Sequence, residues 1–409
     1  MNAPLRLRRN DESVPLLEHE VRYLGGHGGA FTDLEPDSLR THLRRFGPRP
    51  QRDADDLIAD LERLALTGRG GGHFPAARKW RAAQGATGPV TVVANGAEGE
   101  PLSRKDTALL ELRPHLVLDG LASAAEALDA EDAVIWLHEG DHPARSAVAR
   151  ALAERPAGDV ALRLAVGPDH YLTGETSAVV RGLAGGPALP TFRRVPLARG
   201  GRDGRAVLVH NVETLARIGL VARGIEPAES VLVSVGGPGA IVVLEAGPNW
   251  SVLDAARAGS GDRPVQAVLL GGYGGSWLSR ADAARLPLHE PALRAAGVSV
   301  GAGVIEVLPD GRCGIARAAA IARFLADSSA RQCGPCLFGL DAIADSMAAL
   351  AKGGRRHRRE ADRVRSFVAD VRGRGACHHP DGAARMVTSA LEVFTAEVDE
   401  HLHGRCRHA

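Results

Sequence analysis

The chain of 409 residues predicts an α/β protein built on a parallel sheet, followed by a small mixed strand–helix module and a C-terminal helical region. Three observations carry that reading. Between residues 89 and 215, short apolar strand runs alternate with helical patterns, the order that builds βαβ units. Around Ser230 the texture changes to short strands grouped about one helix. From about Gly314 to His403 only helical periodicity remains, and it holds Cys333, Cys336 and Cys377.

Length and composition bound the function. A chain this long needs two or three domains. Lys plus Arg number 50 against 49 Asp plus Glu, a formal net charge of +1. No global basic field exists to draw in nucleic acid. The basic run over residues 352–359, with Arg363 and Arg365, reads as a local solvated surface. No stretch reaches the length of a membrane span, and residues 1–9 lack the apolar segment of a secretory signal. Five cysteines are not a disulfide framework and fit a reducing cytoplasm.

Taken in order, residues 1–50 read as a partly ordered lead-in, with Gly25-Gly26 and Gly28-Gly29 marking a loop. Residues 53–66 form an amphipathic helix through Leu57, Leu61 and Leu64, with acids at its entry that favour its dipole. It delivers the loop Gly68, Arg69, Gly70, Gly71, Gly72, His73, Phe74, Pro75, closed by Lys79 and Trp80. Bare glycine amides let main chain lie against a flat or anionic ligand, and Lys79 adds a cation about one helical turn on. A mobile surface loop is the plain alternative. The loop fails the usual dinucleotide fingerprint, since His73 sits where a third glycine would be and a helix precedes it.

Residues 89–94 make a buried strand ending in the turn Asn95-Gly96-Ala97-Glu98-Gly99-Glu100-Pro101. A long helix over about 108–130, a strand at 133–137, a helix at 143–153 and a strand at 160–166 continue the βαβ pattern. Ligands in such sheets bind beyond the carboxyl ends of strands, where the 95–101 turn falls. A second polar turn runs from Tyr171 through Gly174 to Glu175 and Thr176. The Pro/Arg/Gly-rich excursion 185–204 is too long for a simple connection. A strand at 207–209 leads to the helix start His210-Asn211-Val212-Glu213-Thr214. Strands at 231–235, 240–244 and 265–270 surround a helix at 252–258, and Gly271 to Gly275 close that module. Strands at 298–300 and 304–308 lead into the final helices. There is no internal repeat.

Cys333-Gly334-Pro335-Cys336 lies between helical patterns, with Cys377-His378-His379 about forty residues later. A C-x-x-C pair brings two thiolates onto one metal, and the intervening Gly-Pro suits a tight turn. No strand precedes it, so a thioredoxin-type redox pair is disfavoured. The fourth ligand could be His378, His379, Cys313, Cys406, a solvent molecule, or nothing. On spacing alone, zinc fits as well as an iron–sulfur cluster.

With these pieces in place, the sequence resembles the flavin- and NADH-binding subunit of bacterial respiratory complex I, and the related subunits of NAD-linked hydrogenases and formate dehydrogenases. The likeness covers nearly all of the chain beyond residue 50. It rests on the glycine loop with Lys79-Trp80, on residues 95–101 with Lys105-Asp106, on residues 171–175, on Asn211 to Thr214, and on Cys333, Cys336 and Cys377 with Pro335 and Gly339 in register. The resemblance implies a Rossmann-like FMN-binding domain (51–228) after the lead-in (1–50), a β-grasp domain of the SLBB type (229–285), and a helical iron–sulfur domain (286–409). It implies FMN held by Gly68, Gly70, Gly71, Phe74, Lys79, Asn95, Glu98, Tyr171, Gly174, Glu175, His210 and Asn211. Glu100 and Glu175 are its catalytic residues. Cys333, Cys336 and Cys377 are the ligands of a [4Fe–4S] or [3Fe–4S] cluster.

Departures from the family pattern cluster on the nucleotide side. His73 replaces a glycine, Ala97 an aspartate, Thr176 the second of two glutamates, and His210 the first of two asparagines. Of the rings that grip adenine in the family only Phe74 remains. Ala82 takes one other place, and Val195-Pro196 offers no ring. Two lost stacks, each of roughly 0.5–1.5 kcal/mol, weaken NADH about ten-fold or more. Ala330 stands at the first cluster cysteine. The expected function is FMN-dependent electron transfer to an iron–sulfur centre, with NAD(P)H or a ferredoxin-like protein as donor. The expected partner is another redox subunit or a membrane redox protein, at the inner face of the membrane. The rival is a redox-inactive docking subunit.

Overall fold

The computed structural model describes residues 34–156, 160–192, 196–199, 205–237, 240–260 and 263–406, and the main chain of residues 20–24. The glycine pairs at 25–26 and 28–29, Val195, and parts of the 185–204 excursion lie outside the described residues. Residues 20–310 make one compact unit, and the chain from Gly311 onward makes another.

The strands of the larger unit are β1 (Glu20–Leu24), β2 (Val90–Asn95), β3 (Asp132–His138), β4 (Leu162–Gly167) and β5 (Ala206–Asn211). They are followed by β6 (Val231–Gly236), β7 (Ala240–Ala246), β8 (Val265–Leu270), β9 (Ser276–Ser279) and β10 (Val304–Pro309). One sheet runs β4-β3-β2-β5, with every pair parallel. Its central strands read as apolar runs because helices cover both faces; six of the seven residues of β3 are buried. The helices Pro114–Ala127 and Val212–Val221 pack at glycine contacts. A Cβ on Gly120 would lie 1.8 Å from the Leu215 carbonyl oxygen, and one on Gly219 would lie 2.6 Å from that of Leu116. Register sets Asn95 opposite Asn211 at the carboxyl ends of β2 and β5, which is where the ligand-binding edge of such a sheet falls.

The second sheet has six strands in the order β1-β7-β6-β10-β8-β9. Two expectations change here. Strand β1, inside the expected lead-in, pairs in parallel along β7. Strand β10, expected with the helical region, is a central strand held by β6 on one side and β8 on the other. Its Ile305 and Val307 are buried in that module's core. Residues 298–300 form no strand. The single helix expected over 108–130 is two, Lys105–Leu112 and Pro114–Ala127. Pro114 has no N–H to continue the first helix and is suited to start the second.

The smaller unit holds the helices Gly314–Asp327, Leu340–Lys352, Glu360–Val371, His379–Val393 and Thr395–Leu402. The Gly-Pro of the C-x-x-C segment is not a tight turn between helices. Pro335–Gly339 is a wide π-helical turn running straight into Leu340–Lys352. Gly339 is needed there, since a Cβ would meet Val371 Cγ2 at 2.3 Å.

Candidate functional site

The glycine loop is pinned at its neck. Thr67 and Pro75 form an antiparallel bridge, Gly68 N–H donates to the Phe74 carbonyl at 3.0 Å, and Ala76 N–H donates to that of Leu66 at 2.8 Å. Arg69 N–H then donates to Thr214 Oγ1 at 2.9 Å. Gly70 lies flush against Asn211, where a Cβ would come within 3.2 Å of the asparagine Cβ. Gly71 turns the chain at φ +90°, while a Cβ on Gly72 would find no atom within 4 Å. Phe74 is half exposed, with the Arg78 guanidinium 5.5 Å from its ring centre. His73 adopts φ 45° and is buried, with Nε2 3.3 Å from Glu290 Oε2. Its Nδ1 has no hydrogen-bond partner among the described residues. Burial holds its pKa below the ordinary imidazole value.

Lys79 lies on the helix Ala76–Gln84 that leaves the loop. Its amine is buried and donates to the Val209 carbonyl. Burial alone pushes its pKa down to about 8. The next residue, Trp80, donates its indole N–H to His210 Nε2 at 2.9 Å. That bond makes Nε2 the acceptor, and burial, with Lys79 nearby, holds the imidazole neutral. The ring of His210 is thus engaged by Trp80.

At the sheet edge, Asn95 Nδ2 donates to the Gly174 carbonyl at 2.8 Å, and Asn211 Nδ2 donates to Asp106 Oδ2 at 2.6 Å. Asn211 also caps its helix by accepting from Glu213 N–H at 2.9 Å. Glu98 accepts from Asp106 and Thr107 N–H at 3.1 and 2.9 Å, at the start of Lys105–Leu112. The turns 95–101 and 171–175 touch through bare main chain. A Cβ on Gly99 would lie 2.0 Å from the Tyr171 carbonyl oxygen, and one on Gly174 would lie 2.5 Å from that of Ala97. Glu100 accepts from Tyr171 Oη at 2.6 Å and from Tyr273 N–H at 2.9 Å. Burial raises its carboxyl to about 7 despite those bonds. Glu175 is bound locally: its Oε2 caps Thr176–Leu183 through the Ser177 and Ala178 amides.

Beneath this edge runs a buried charge network that sequence reading did not connect. Lys105 Nζ donates to Asp106 at 2.7 Å and lies 3.3 Å from Glu213, which pairs with Arg217 at 3.0 Å. Burial opposes the Lys105 ammonium, but Asp106, Glu213 and Glu98 hold its pKa above the ordinary value. The link that joins the two segments, Lys105 to Glu213, spans 108 positions, so spacing gave no signal for it.

In the helical unit, Cys336 is buried, with Cys333 and Cys377 beside it. Burial, then those two thiols, pushes the Cys336 thiol up to about 12, while the Arg331 main-chain N–H works the other way. Ala330 is buried and brings no donor atom. His379, one of the possible fourth ligands, has its Nε2 on the Leu325 carbonyl at 2.8 Å. Cys313 and Cys406 belong to a different group, with His401.

The donor sets suit the groups they would hold. Bare amides, a buried ammonium on one carbonyl, and a buried Arg69 Nε without a partner among the described residues match an anionic, planar cofactor. Three thiols with a main-chain N–H on sulfur match an iron–sulfur cluster. Fold and sites together define a flavin- and iron–sulfur-binding electron-transfer protein. Residues 61–220 match the Nuo51 FMN-binding domain, and residues 316–401 match the NADH-ubiquinone oxidoreductase-F iron–sulfur binding region. The second F-type subunit of the NADH-quinone oxidoreductase of Rhizobium meliloti is 27% identical over 96% of this chain and 98% of its own. The F-type subunit of the Streptomyces coelicolor enzyme is 27% identical over 92% of this chain and 91% of its own. An NAD⁺-reducing [NiFe]-hydrogenase structure in the H2-reduced state superposes with a TM-score of 0.74 at 26% identity, over 86% of this chain and 63% of the hydrogenase chain. The chain therefore spans less than two thirds of that protein. It belongs to the NADH-quinone oxidoreductase-F family, as a divergent member. Its cofactors are FMN and an iron–sulfur cluster, and its chemistry is flavin-linked electron transfer to that cluster.

Proposed function

We propose that the protein takes electrons from NAD(P)H or a ferredoxin-like protein and passes them to a further redox subunit. The observation that carries this reading is the glycine loop: Gly70 lies flush against Asn211, Gly72 faces open space, and the helix leaving the loop carries an ammonium, Lys79, that has no carboxylate partner among the described residues. FMN supplies a carrier that accepts two electrons and releases them one at a time. In this reading Gly68, Gly70 and Gly71 present amides to it, and Lys79 offsets its phosphate. Asn95 and Asn211 fix the two strand ends on either side. Glu100 holds a proton on its carboxyl below about pH 7, and Glu175 positions the 171–175 turn by capping the next helix. Cys333, Cys336 and Cys377 hold the cluster, as a [3Fe–4S] centre or as a [4Fe–4S] centre with a non-cysteine ligand at the place of Ala330.

The nucleotide side favours a weakened NAD(P)H site. Phe74 is the one remaining ring of the family's adenine grip, and His73 fills space that a glycine would leave open. No helix among the described residues is long and apolar enough to cross a membrane. Its relatives are named as subunits of a quinone oxidoreductase, so we place the protein in the cytoplasm, against the membrane through partner subunits. An exposed pair, Leu337 and Phe338, next to Cys336 offers a docking face. The rival reading is a docking subunit without redox work, favoured by the missing donor at Ala330.

Anaerobic absorption spectra before and after NADH, NADPH, reduced ferredoxin and dithionite test this. Dithionite should bleach flavin and cluster together, and one of the three biological reductants should do the same. A flavin that dithionite reduces but none of the three touches would favour the docking reading. Protein that stays colourless after FMN is added would end both claims of redox work.

A further inference from the structure

We propose that Cys313, His401 and Cys406 bind a zinc-class divalent cation, a site that shares no residue with the cluster cysteines. Their three ligand atoms lie within 4.8 Å of one another, and Cys313 Sγ is 3.2 Å from His401 Nε2. Zinc–sulfur and zinc–nitrogen bonds of about 2.3 and 2.0 Å place tetrahedral ligands roughly 3.4–3.8 Å apart. The donors therefore need to move only tenths of an ångström, or little more, to close on an ion. Two thiolates and one imidazole are the soft and borderline donors that select zinc over magnesium or calcium.

The supporting contacts orient the donors as metal ligands are oriented. Cys313 caps the helix Gly314–Asp327, and its Sγ accepts from Ala316 N–H at 3.3 Å, which fixes the sulfur at the helix start. Glu397, one turn before His401 on Thr395–Leu402, takes Gly314 N–H on Oε2 at 2.7 Å, so the two ligand-bearing helices are tied together beside the site. The His401 main-chain carbonyl accepts from Gly354 N–H at 2.7 Å. Cys313 and His401 are buried, while Cys406 is partly exposed and gives the ion its way in. On binding, the two thiols lose their protons to solvent, no electron moves, and a water completes the tetrahedron. The ion then clasps the tail at Cys406 to the start of the helical unit.

The test is zinc and iron content of the anaerobically purified holoprotein after dialysis against a weak chelator, for the natural sequence, Cys406→Ser and Cys336→Ser. About one zinc per chain is expected in the natural sequence and in Cys336→Ser, with iron lost only in the latter. Cys406→Ser should retain at least ten-fold less zinc yet keep its iron and flavin. Cobalt added to the zinc-free natural protein should give thiolate-to-cobalt charge-transfer absorption, a readout that needs no variant. The proposal is overturned if zinc is absent from the natural sequence and cobalt gives no such band, if zinc follows Cys336 instead of Cys406, or if thiol titration finds Cys313 and Cys406 joined as a disulfide.

Discussion

The Tyr171 hydroxyl donates to Glu100 Oε1 at 2.6 Å, and this bond ties the turn after β2 to the turn after β4. The same carboxyl takes Tyr273 N–H, and a Cβ on Gly272 would lie 2.6 Å from its Cδ. Glu100 is thus held between the Tyr171 hydroxyl on one side and the main chain of Gly272 and Tyr273 on the other. Burial raises its pKa from 4.5 to about 7. A folded-state pKa above the unfolded one contributes stability that is complete below pH 4.5 and is lost as pH rises through 7. Urea titrations should show a loss of about 3 kcal/mol across that window. In Glu100→Gln the loss should vanish. An equal slope in both proteins would place the titration on another group.

Lys79 gives the opposite arrangement, a buried cation held by one carbonyl. Its pKa of about 8 lies below the ordinary 10.5 because burial disfavours the ammonium. In the flavin-free protein that cost is fully present below pH 8 and is relieved as pH rises toward 10.5. Lys79→Met should therefore stabilise the flavin-free protein at pH 7, by up to about 3 kcal/mol. It should also weaken FMN binding ten-fold or more, read by quenching of flavin fluorescence. Unchanged FMN affinity would remove Lys79 from the phosphate.

The parallel sheet was legible because strands buried on both faces leave continuous apolar runs, as in β2 and β3. The glycine loop stood out as four glycines in five positions, but the run alone left a mobile surface loop open, and the segments that follow it gave the ligand reading. What could not be read were pairings between distant residues. Glu100 meets Tyr273 across 173 positions, and Cys313 meets His401 across 88. Strand β10 is placed by its neighbours β6 and β8, and its own apolar run names neither. The break at Pro114 was present in the sequence, but the apolar pattern on either side hid it.

Glycines that touch main chain should behave differently from glycines that face open space. A Cβ on Gly99 would lie 2.0 Å from the Tyr171 carbonyl oxygen, and a main-chain atom cannot rotate aside. Gly99→Ala should lower stability by about 3 kcal/mol or more, with loss of bound flavin. A Cβ on Gly72 meets nothing within 4 Å, so Gly72→Ala should leave flavin-free stability within about 0.5 kcal/mol. Thermal melts of the two flavin-free variants make the comparison. Equal losses in both would mean that the turns 95–101 and 171–175 do not meet as described.

Cys336 is the deepest of the three thiols proposed to hold the cluster, buried where Cys333 and Cys377 remain partly exposed. It is carried by the π-helical turn Pro335–Gly339, whose backbone is fixed by Leu337 N–H on the Cys333 carbonyl at 3.0 Å. With Ala330 supplying no donor, no spare cysteine stands at the first family position to replace a lost ligand. Cys336→Ser should abolish the cluster's visible absorption and its iron. The hydroxyl fits the sulfur's place, so stability of the cluster-free protein should change by less than about 1.5 kcal/mol. FMN belongs to the other unit of the chain, so flavin content should be unchanged, and dithionite should still bleach it. A variant that keeps its iron would show that Cys333 and Cys377 hold the cluster with a different third ligand.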